Sequence, residues 1–294
     1  MKESFLAAAA IVLSVASSAW AQNASGAGLF DSGRLLATGG VSQVEGAGGG
    51  GLVPWALITG YGSRDGVGVN AHATYVPLSD FSLLTEGAAV GLYDRLELSY
   101  AHQTFDTGDA GARLGLGKGF KFDQDIVGAK VRLFGDAVFE QDSWLPQVAA
   151  GLQYKMNDRG DIIHAVGGSH DSGTDYYLAA TKLFLAQRVL LNVTVRETEA
   201  NQYGLLGFGG DNGGYSTQTE GSAGFLMTRW LVLGAEYRTK PNNLKFARED
   251  DAFDFFAACF LNKNVSLTLA YVDLGDIALQ GRQSGAYMSL QAGF

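Results

Sequence analysis

The sequence is poor in cysteine, proline and charge, and it lacks long apolar runs. Cys259 is the only cysteine among 294 residues, so a disulfide within the chain is excluded. There are 4 prolines, and beyond the first 21 residues no stretch reaches about 18 uninterrupted apolar residues, which excludes a helical membrane span. Charged residues make up 17% and the net charge is −9, which argues against a nucleic-acid partner because such binding needs a basic face.

The first residues have the pattern of a secretory leader. Lys2 gives a positive start, Phe5–Ala16 is an apolar core, and Ala19-Trp20-Ala21 is a small-x-small cleavage site. The sequence therefore predicts a signal peptide over residues 1–21 and one mature domain over residues 22–294. The alternative is an N-terminal membrane anchor.

The chain is rich in glycine, with 41 residues, and in apolar side chains at alternate positions. A short unit recurs along the chain, consisting of Leu, two arbitrary residues, and Arg or Asn. After each unit, apolar residues occupy every second position, as in Leu96, Leu98 and Tyr100. A period of two indicates strands with one apolar face. We predict an all-β fold, a transmembrane antiparallel up-and-down β-barrel of about 14 strands in the bacterial cell outer membrane. The predicted strands are Arg34–Glu45, Leu52–Tyr61, Val67–Tyr75, Phe81–Leu92, Arg95–Phe105, Phe122–Phe134, Leu145–Met156, Thr174–Phe184, Arg188–Thr198, Tyr215–Thr228, Trp230–Lys240, Phe253–Leu261, Val265–Asp273 and Ser284–Phe294.

The connection lengths support this architecture. Short turns such as Tyr93-Asp94 and Asn262-Lys263 alternate with long polar loops such as Asp106–Lys121 and Asn157–Gly173. Outer-membrane barrels have short periplasmic turns and long extracellular loops, so an even strand count predicts both termini in the periplasm. Near the N-terminus, two of the connections assigned to the extracellular side are short. A barrel of twelve strands is therefore the alternative. A soluble β-sandwich is the alternative fold.

Polar and charged residues occupy the positions between the apolar ones. A Lys or Arg facing lipid near the midplane would cost about 2–4 kcal/mol, so we assign these residues to the lumen. The predicted lumen-lining residues are His72, Glu86, Glu97, Lys130, Arg132, Lys155, Lys182, Arg196, Glu220, Glu236 and Arg238. Two interpretations stay open. In the first, the lumen is filled with water; in the second, opposite charges pair across the lumen and close it.

From a polar lumen of intermediate width we predict a narrow channel or transport barrel for small hydrophilic solutes. The alternative is a non-conducting structural or surface-interaction barrel whose acidic outer loops bind cations, lipopolysaccharide or a partner protein. Nucleophile, cofactor and metal-ligand patterns of recognised spacing are lacking. We therefore predict no catalytic residue, no cofactor and no metal site, and we expect that the protein is not an enzyme.

The chain ends on an aromatic residue, Phe294, after a strand of alternating apolar residues. This end resembles the C-terminal assembly signal of bacterial outer-membrane proteins. The resemblance implies the barrel-assembly machinery as a partner, besides outer-membrane lipid and lipopolysaccharide.

A longer resemblance begins at Arg34. The segment Arg34–Gly62 reads RLLATGGVSQVEGAGGGGLVPWALITGYG and is similar to the N-terminal signature of an uncharacterised proteobacterial outer-membrane family, the DUF3034 type. The similarity continues through Val67–Phe105 and to the C-terminal strand. It implies an outer-membrane barrel with no assigned substrate, and it carries over no functional residues.

Overall fold

The computed structural model of the chain describes residues 36–64 and 66–294. The predicted signal peptide therefore lies outside the described residues. The helices in the described part are short: α1 (Ala110–Arg113), α2 (Gly160–Ala165) and one 3₁₀-helix (Asn201–Gly204). None of them is long and apolar enough to cross a membrane. Two short strands, β1 (Val41–Ser42) and β2 (Gly48–Gly49), pair with each other.

Twelve antiparallel strands form a closed barrel. The predicted fold class is therefore confirmed, and the number of strands is the alternative of twelve. Each strand pairs with the next along the chain, and the last pairs with the first, which closes the wall. A closed wall pairs its backbone groups internally, as a membrane requires. The strands are β3 (Val67–Pro77), β4 (Ser82–Leu92), β5 (Leu96–Asp106), β6 (Lys121–Phe134), β7 (Gln147–Asn157), β8 (Ser172–Phe184), β9 (Val189–Thr198), β10 (Ser216–Leu226), β11 (Leu231–Arg238), β12 (Ala252–Phe260), β13 (Val265–Asp276) and β14 (Arg282–Gly293).

The outer face of the barrel wall is apolar. Leu98 on β5, Val193 on β9 and Leu269 on β13 are exposed, whereas the residues next to them along each strand are buried or half-buried. Exposed aromatic rings lie towards the strand ends, among them Trp230 and Tyr237 near the two ends of β11. An apolar band flanked by aromatic rings is typical of a surface in contact with lipid.

The two ends of the barrel differ in the length of their connections, as the sequence predicted. At the turn end, the connections span residues 93–95, 135–146, 185–188, 227–230 and 261–264. At the loop end, they span residues 78–81, 107–120, 158–171, 199–215, 239–251 and 277–281. By the rule for outer-membrane barrels, the turn end faces the periplasm and the loop end faces outward.

The C-terminal residue completes the closure of the barrel. The backbone N–H of Phe294 donates to Val69 O (2.7 Å), and Phe294 O accepts from the N–H groups of Val69 (2.9 Å) and Tyr61 (3.0 Å). Its side chain is buried in a cluster with Val265 and Ala292. The role of Phe294 as an assembly signal stays a prediction.

The first two predicted strands, Arg34–Glu45 and Leu52–Tyr61, are wrong as barrel strands. Every residue from Ala37 to Gly62 is buried, whereas a strand of the wall would expose alternate side chains to lipid. Residues 36–62 instead fold inside the barrel, and we call them the plug. The consecutive apolar residues Trp55–Ile58 fit an interior segment that is enclosed on all sides.

Candidate functional site

The inner face of the wall carries nine of the eleven residues predicted to line the lumen. All nine side chains are buried, and the plug fills the space that they surround. They are His72, Glu97, Lys130, Arg132, Lys155, Arg196, Glu220, Glu236 and Arg238.

The prediction is wrong for Glu86, which is exposed on the outer face of β4. A Cβ atom at Gly87 would lie 2.5 Å from His72 Cε1, and one at Gly91 would lie 2.4 Å from Thr59 O. Because the plug and His72 approach β4 this closely, its inner face needs small residues. The alternation of polar and apolar residues that marks the lumen on other strands is therefore weak on β4, and the charge of Glu86 does not indicate the inner face.

The prediction is also wrong for Lys182, which pairs in register with Leu191, an outward-facing and exposed residue. The side chain of Lys182 therefore leaves the strand on the outer side. Its ammonium donates to the carbonyl oxygens of Asp136 (3.1 Å), Glu140 (2.6 Å) and Leu145 (3.2 Å) in the connection at the turn end. A long Lys side chain near a strand end reaches polar groups beyond the apolar band.

Wall side chains satisfy the backbone of the plug. Glu97 accepts hydrogen bonds from the N–H groups of Gly48 (2.9 Å) and Thr59 (2.8 Å). Lys130, 3.1 Å from Glu97, donates to the carbonyl oxygens of Gly48 (2.8 Å) and Trp55 (3.1 Å). Buried backbone groups without a sheet partner need such bonds, so these two predicted lumen charges hold the plug in place.

Neutral side chains bind the plug from another part of the wall. Thr181 Oγ1 accepts from the N–H of Ala56 (2.7 Å), and Gln147 Nε2 donates to Ala56 O (2.6 Å). Thr194 Oγ1 donates to Pro54 O (2.8 Å). The plug is thus attached to strands β5 and β6 and to strands β7, β8 and β9.

A network of three acidic and three basic side chains lies beside the plug. Its members, all buried, are Glu45, Asp175, Glu220, Lys155, Arg196 and Arg238. Glu45 belongs to the plug and accepts from Arg238 (2.7 Å) and from Lys155. Asp175 lies 2.8 Å from Lys155 and 3.1 Å from Arg196. Opposite charges therefore pair inside the barrel, as the second interpretation expected. They pair between neighbouring wall strands and with Glu45 of the plug, however, and the plug itself fills the lumen.

Sequence reasoning missed two members of this network. Glu45 lies in the predicted strand Arg34–Glu45, and Asp175 lies in the predicted strand Thr174–Phe184 but is not among the predicted lumen-lining residues. The six residues from Gly46 to Gly51, five of them glycine, break the period of two and signal that residues 36–62 are not part of the wall.

An apolar cavity of about 280 Å³ lies between the plug and the loops at the loop end, and we call it the vestibule. Of its 26 lining residues, 20 are aliphatic or Phe. Val44 and Leu52 of the plug form the floor, inward residues at the strand ends such as Phe105 form the walls, and loop residues such as Leu116 and Ile162 lie above. The polar lining residues are Gln103, Thr107, Arg113, Gln202, Tyr203 and Tyr287.

Tyr203 is one of the polar residues that line this apolar space. Gln202 and Tyr203 have φ values of 47° and 62°, a left-handed turn that directs the 199–215 loop into the barrel. The ring of Tyr203 lies 4.5 Å from the guanidinium carbon of Arg238. Its hydroxyl is buried without a hydrogen-bond partner among the described residues, and burial raises its pKa, which keeps the hydroxyl protonated.

Glu249 attaches the 239–251 loop to this turn. Its Oε1 accepts from the backbone N–H of Gln202 (2.8 Å), and its Oε2 lies 3.7 Å from Lys240 Nζ. Lys240 in turn donates to Leu274 O (2.7 Å). Burial raises the pKa of Glu249 to about 7, although Lys240 acts in the opposite direction.

This raised pKa predicts that the loop attachment is weaker at pH 8 than at pH 6. A carboxyl group whose pKa is near 7 in the folded protein and about 4.5 when unfolded stabilises the fold at low pH. That stabilisation is lost as the pH rises through about 7. We expect the thermal unfolding midpoint of the purified barrel to fall more between pH 6 and pH 8 in the wild type than in Glu249→Gln. The matched variant Glu197→Gln, at an exposed position, should behave like the wild type, and an unchanged pH response in Glu249→Gln would contradict the prediction.

A closed antiparallel wall, an apolar outer face and long loops at one end define an outer-membrane β-barrel of porin-like fold. The chain belongs to the family described as "Protein of unknown function (DUF3034)", whose model matches residues 38–291. The predicted family and the predicted outer-membrane location are thereby confirmed. No curated protein matches the chain.

Several solved structures are similar to this barrel at low sequence identity. "KdgM porin in complex with disordered oligogalacturonate" gives a TM-score of 0.49 at 9% identity, over 76% of this chain and 99% of that chain. The NanC porin gives 0.46 at 11% identity, over 76% and 97%. Outer membrane phospholipase A from Escherichia coli gives 0.44 at 12% identity, over 80% and 94%.

Proposed function

We propose that the protein is a gated outer-membrane barrel that takes small, largely apolar molecules into its vestibule from the loop end. The observation that carries the proposal is the vestibule itself, a cavity of about 280 Å³ with a predominantly apolar lining above a polar, plugged lumen. Apolar cavities with few polar groups are the usual form of small-molecule sites.

The size and lining of the vestibule limit the ligand. An apolar cavity of about 150 Å³ in another protein binds benzene, so about 280 Å³ suits a molecule of one or two rings or a short alkyl chain. Arg113 is paired with Asp80 (2.5 Å) and Gln280 (2.8 Å), so its charge is not free for a ligand. Tyr203 lines the vestibule and its hydroxyl has no hydrogen-bond partner among the described residues, so we expect a ligand to form one hydrogen bond with it. The expected ligand is uncharged and apolar with at most one polar atom facing Tyr203.

Filling the vestibule is expected to remove this binding. Leu83 lies on the inner face of β4 and lines the vestibule, so Leu83→Trp would occupy space that the ligand needs. We expect at least a tenfold loss of affinity for naphthalene and 2-naphthol, measured by their fluorescence with the barrel in lipid nanodiscs. Leu98→Trp makes the same change on the outer face of β5 and should leave both affinities intact. Equal affinities in the two variants would refute the vestibule as the site.

The hydroxyl of Tyr203 is expected to select between the two probes. Tyr203→Phe removes a hydrogen bond worth about 1 kcal/mol and changes little in volume. Binding of 2-naphthol should weaken about fivefold in the same nanodisc titration, while naphthalene binding stays the same. A parallel loss for both probes would instead indicate a general disturbance of the 199–215 loop.

Passage of small hydrophilic solutes, predicted from the sequence, is the second candidate function. It is favoured by the polar inner wall, which would line a water-filled lumen once the plug had left. The other sequence-based proposals are the binding of cations or lipopolysaccharide by the acidic loops and recognition of Phe294 by the barrel-assembly machinery. These are kept as proposals.

A further inference from the structure

Among the described residues, the charged side chains inside the barrel have ion-pair partners at every position except one. Lys130 pairs with Glu97, and Lys240 pairs with Glu249. The network around Glu45 contains equal numbers of acids and bases. Glu236 and Asp254 are the exception, because no ion pair joins either of them to a basic group within the described residues.

These two carboxylates are neighbours across two strands. Glu236 on β11 and Asp254 on β12 are directly paired in register, and both side chains are buried, at 2% and 1% exposure. Glu236 accepts from the N–H of Leu52 in the plug (2.6 Å) and from the hydroxyl of Ser222 (2.6 Å). Neither carboxylate oxygen of Asp254 has a hydrogen-bond partner among the described residues. An unpartnered buried carboxylate beside a second carboxylate is strongly unfavourable.

One glycine of the plug, Gly51, leaves room for a small group beside the two carboxylates. A Cβ atom at Gly51 would lie 3.4 Å from Asp254 Oδ2 and 3.5 Å from Glu236 Oε2. The ring of Tyr287 lies 3.4 Å from the same point, so the space beside Gly51 has the size of one methyl group and is lined by both carboxylates and this ring. The space lies directly below the floor of the vestibule, because Leu52 contributes to both.

We propose that a divalent cation of the oxygen-preferring type, such as Ca²⁺, binds between Glu236 and Asp254 against Gly51. Ca²⁺ takes carboxylate, hydroxyl, carbonyl and water oxygens in flexible geometry. Its two positive charges balance both carboxylates and give both oxygens of Asp254 a partner, whereas one proton would serve only one of them. The described residues contain no group of three or more His, Cys, Asp or Glu side chains able to hold a metal ion. Neutral oxygens therefore have to complete the coordination, and the Ser222 hydroxyl, which already contacts Glu236, is one of them.

The site joins the plug to the wall. Glu236 contacts the cation and also holds the backbone of Leu52, so the bound cation fixes the part of the plug that forms the floor of the vestibule. This role is independent of which molecule enters the vestibule.

The test is calcium binding by the full-length barrel after EDTA treatment, measured at pH 7.5 by calorimetry and by the thermal unfolding midpoint. We expect one Ca²⁺ per chain in the wild type, with a rise of the midpoint on binding. Asp254→Asn removes one ligand, and Gly51→Ala places a methyl group in the space without changing any charge. Both are expected to lower the affinity at least tenfold.

Asp251→Asn is the matched control, because it removes a carboxylate near the start of the same strand that faces Tyr237 on the outside. It should retain the binding of the wild type. Equal loss in Asp251→Asn and Asp254→Asn would place the cation on the rim and overturn the proposal. A wild-type barrel whose midpoint responds to pH but not to Ca²⁺ would also overturn it, because protons would then neutralise the pair. If Asp254→Asn fails to fold, the Ca²⁺ affinity of Gly51→Ala and the Ca²⁺ titration of the wild type test the proposal.

Discussion

Deletion of the plug, residues 36–62, is expected to convert a closed barrel into a conducting pore. The plug fills the space inside the twelve-stranded wall, and its removal leaves an inner face of charged and polar side chains that water can solvate. The wall itself closes through hydrogen bonds between strands, so the barrel does not depend on the plug for its backbone pairing. In planar bilayers we expect frequent stepwise currents from the deletion variant and rare ones from the wild type.

A second deletion separates this effect from a general loosening of the barrel. Residues 109–118 belong to the long 107–120 loop, outside the wall. Their removal should leave the barrel closed, because the plug and its bonds to the wall are intact. A folded plug-deletion variant that carries no stepwise current would mean that the plug does not close a path. The hypothesis of a channel for hydrophilic solutes would then be abandoned.

The wall could be predicted from the sequence because a lipid-facing strand leaves a local signal. Along β9, the exposed residues Leu191, Val193 and Val195 alternate with Asn192 and Thr194, which are buried inside. The pattern depends only on the two solvents at the two faces of the strand. The pattern can therefore be recognised in the sequence of the strand itself, without knowledge of the rest of the chain.

The plug could not be predicted in the same way, because its residues are enclosed on all sides. Trp55–Ile58 face side chains from several strands far away in sequence, such as Gln147 and Thr181. No local period marks a segment whose partners are distant, and a short apolar run of this kind also resembles a strand.

The vestibule was missed for a related reason. Val76, Leu83 and Phe122 are apolar residues on inward positions at the loop end of the wall, although the lumen is predicted to be lined by polar and charged residues. Their role is defined by Val44 and Leu52 of the plug, which cover the polar lumen below them. Only the folded chain brings these groups together.

Replacing Glu45 by Gln is expected to release the plug without deleting it. Glu45 is fully buried and faces Lys155, Arg196 and Arg238, so its neutralisation leaves three cations for the two remaining acids, Asp175 and Glu220. Removing one partner of a buried ion pair costs about 3–5 kcal/mol. At about 1.4 kcal/mol per factor of ten, the ratio of open to plugged barrels should rise at least about a hundredfold. The open probability in planar bilayers measures this ratio.

The expected effect comes from charge balance, and a second substitution tests that cause directly. Combining Glu45→Gln with Lys155→Met restores equal numbers of acids and bases in the network, so the open probability should fall back towards the wild-type value. Glu140→Gln removes an exposed carboxylate at the turn end and should leave the barrel closed. If Glu45→Gln opened the barrel no more often than Glu140→Gln, the buried network would not be what holds the plug. If the double variant opened as often as Glu45→Gln, the plug would depend on the hydrogen bonds of Glu45 and not on its charge.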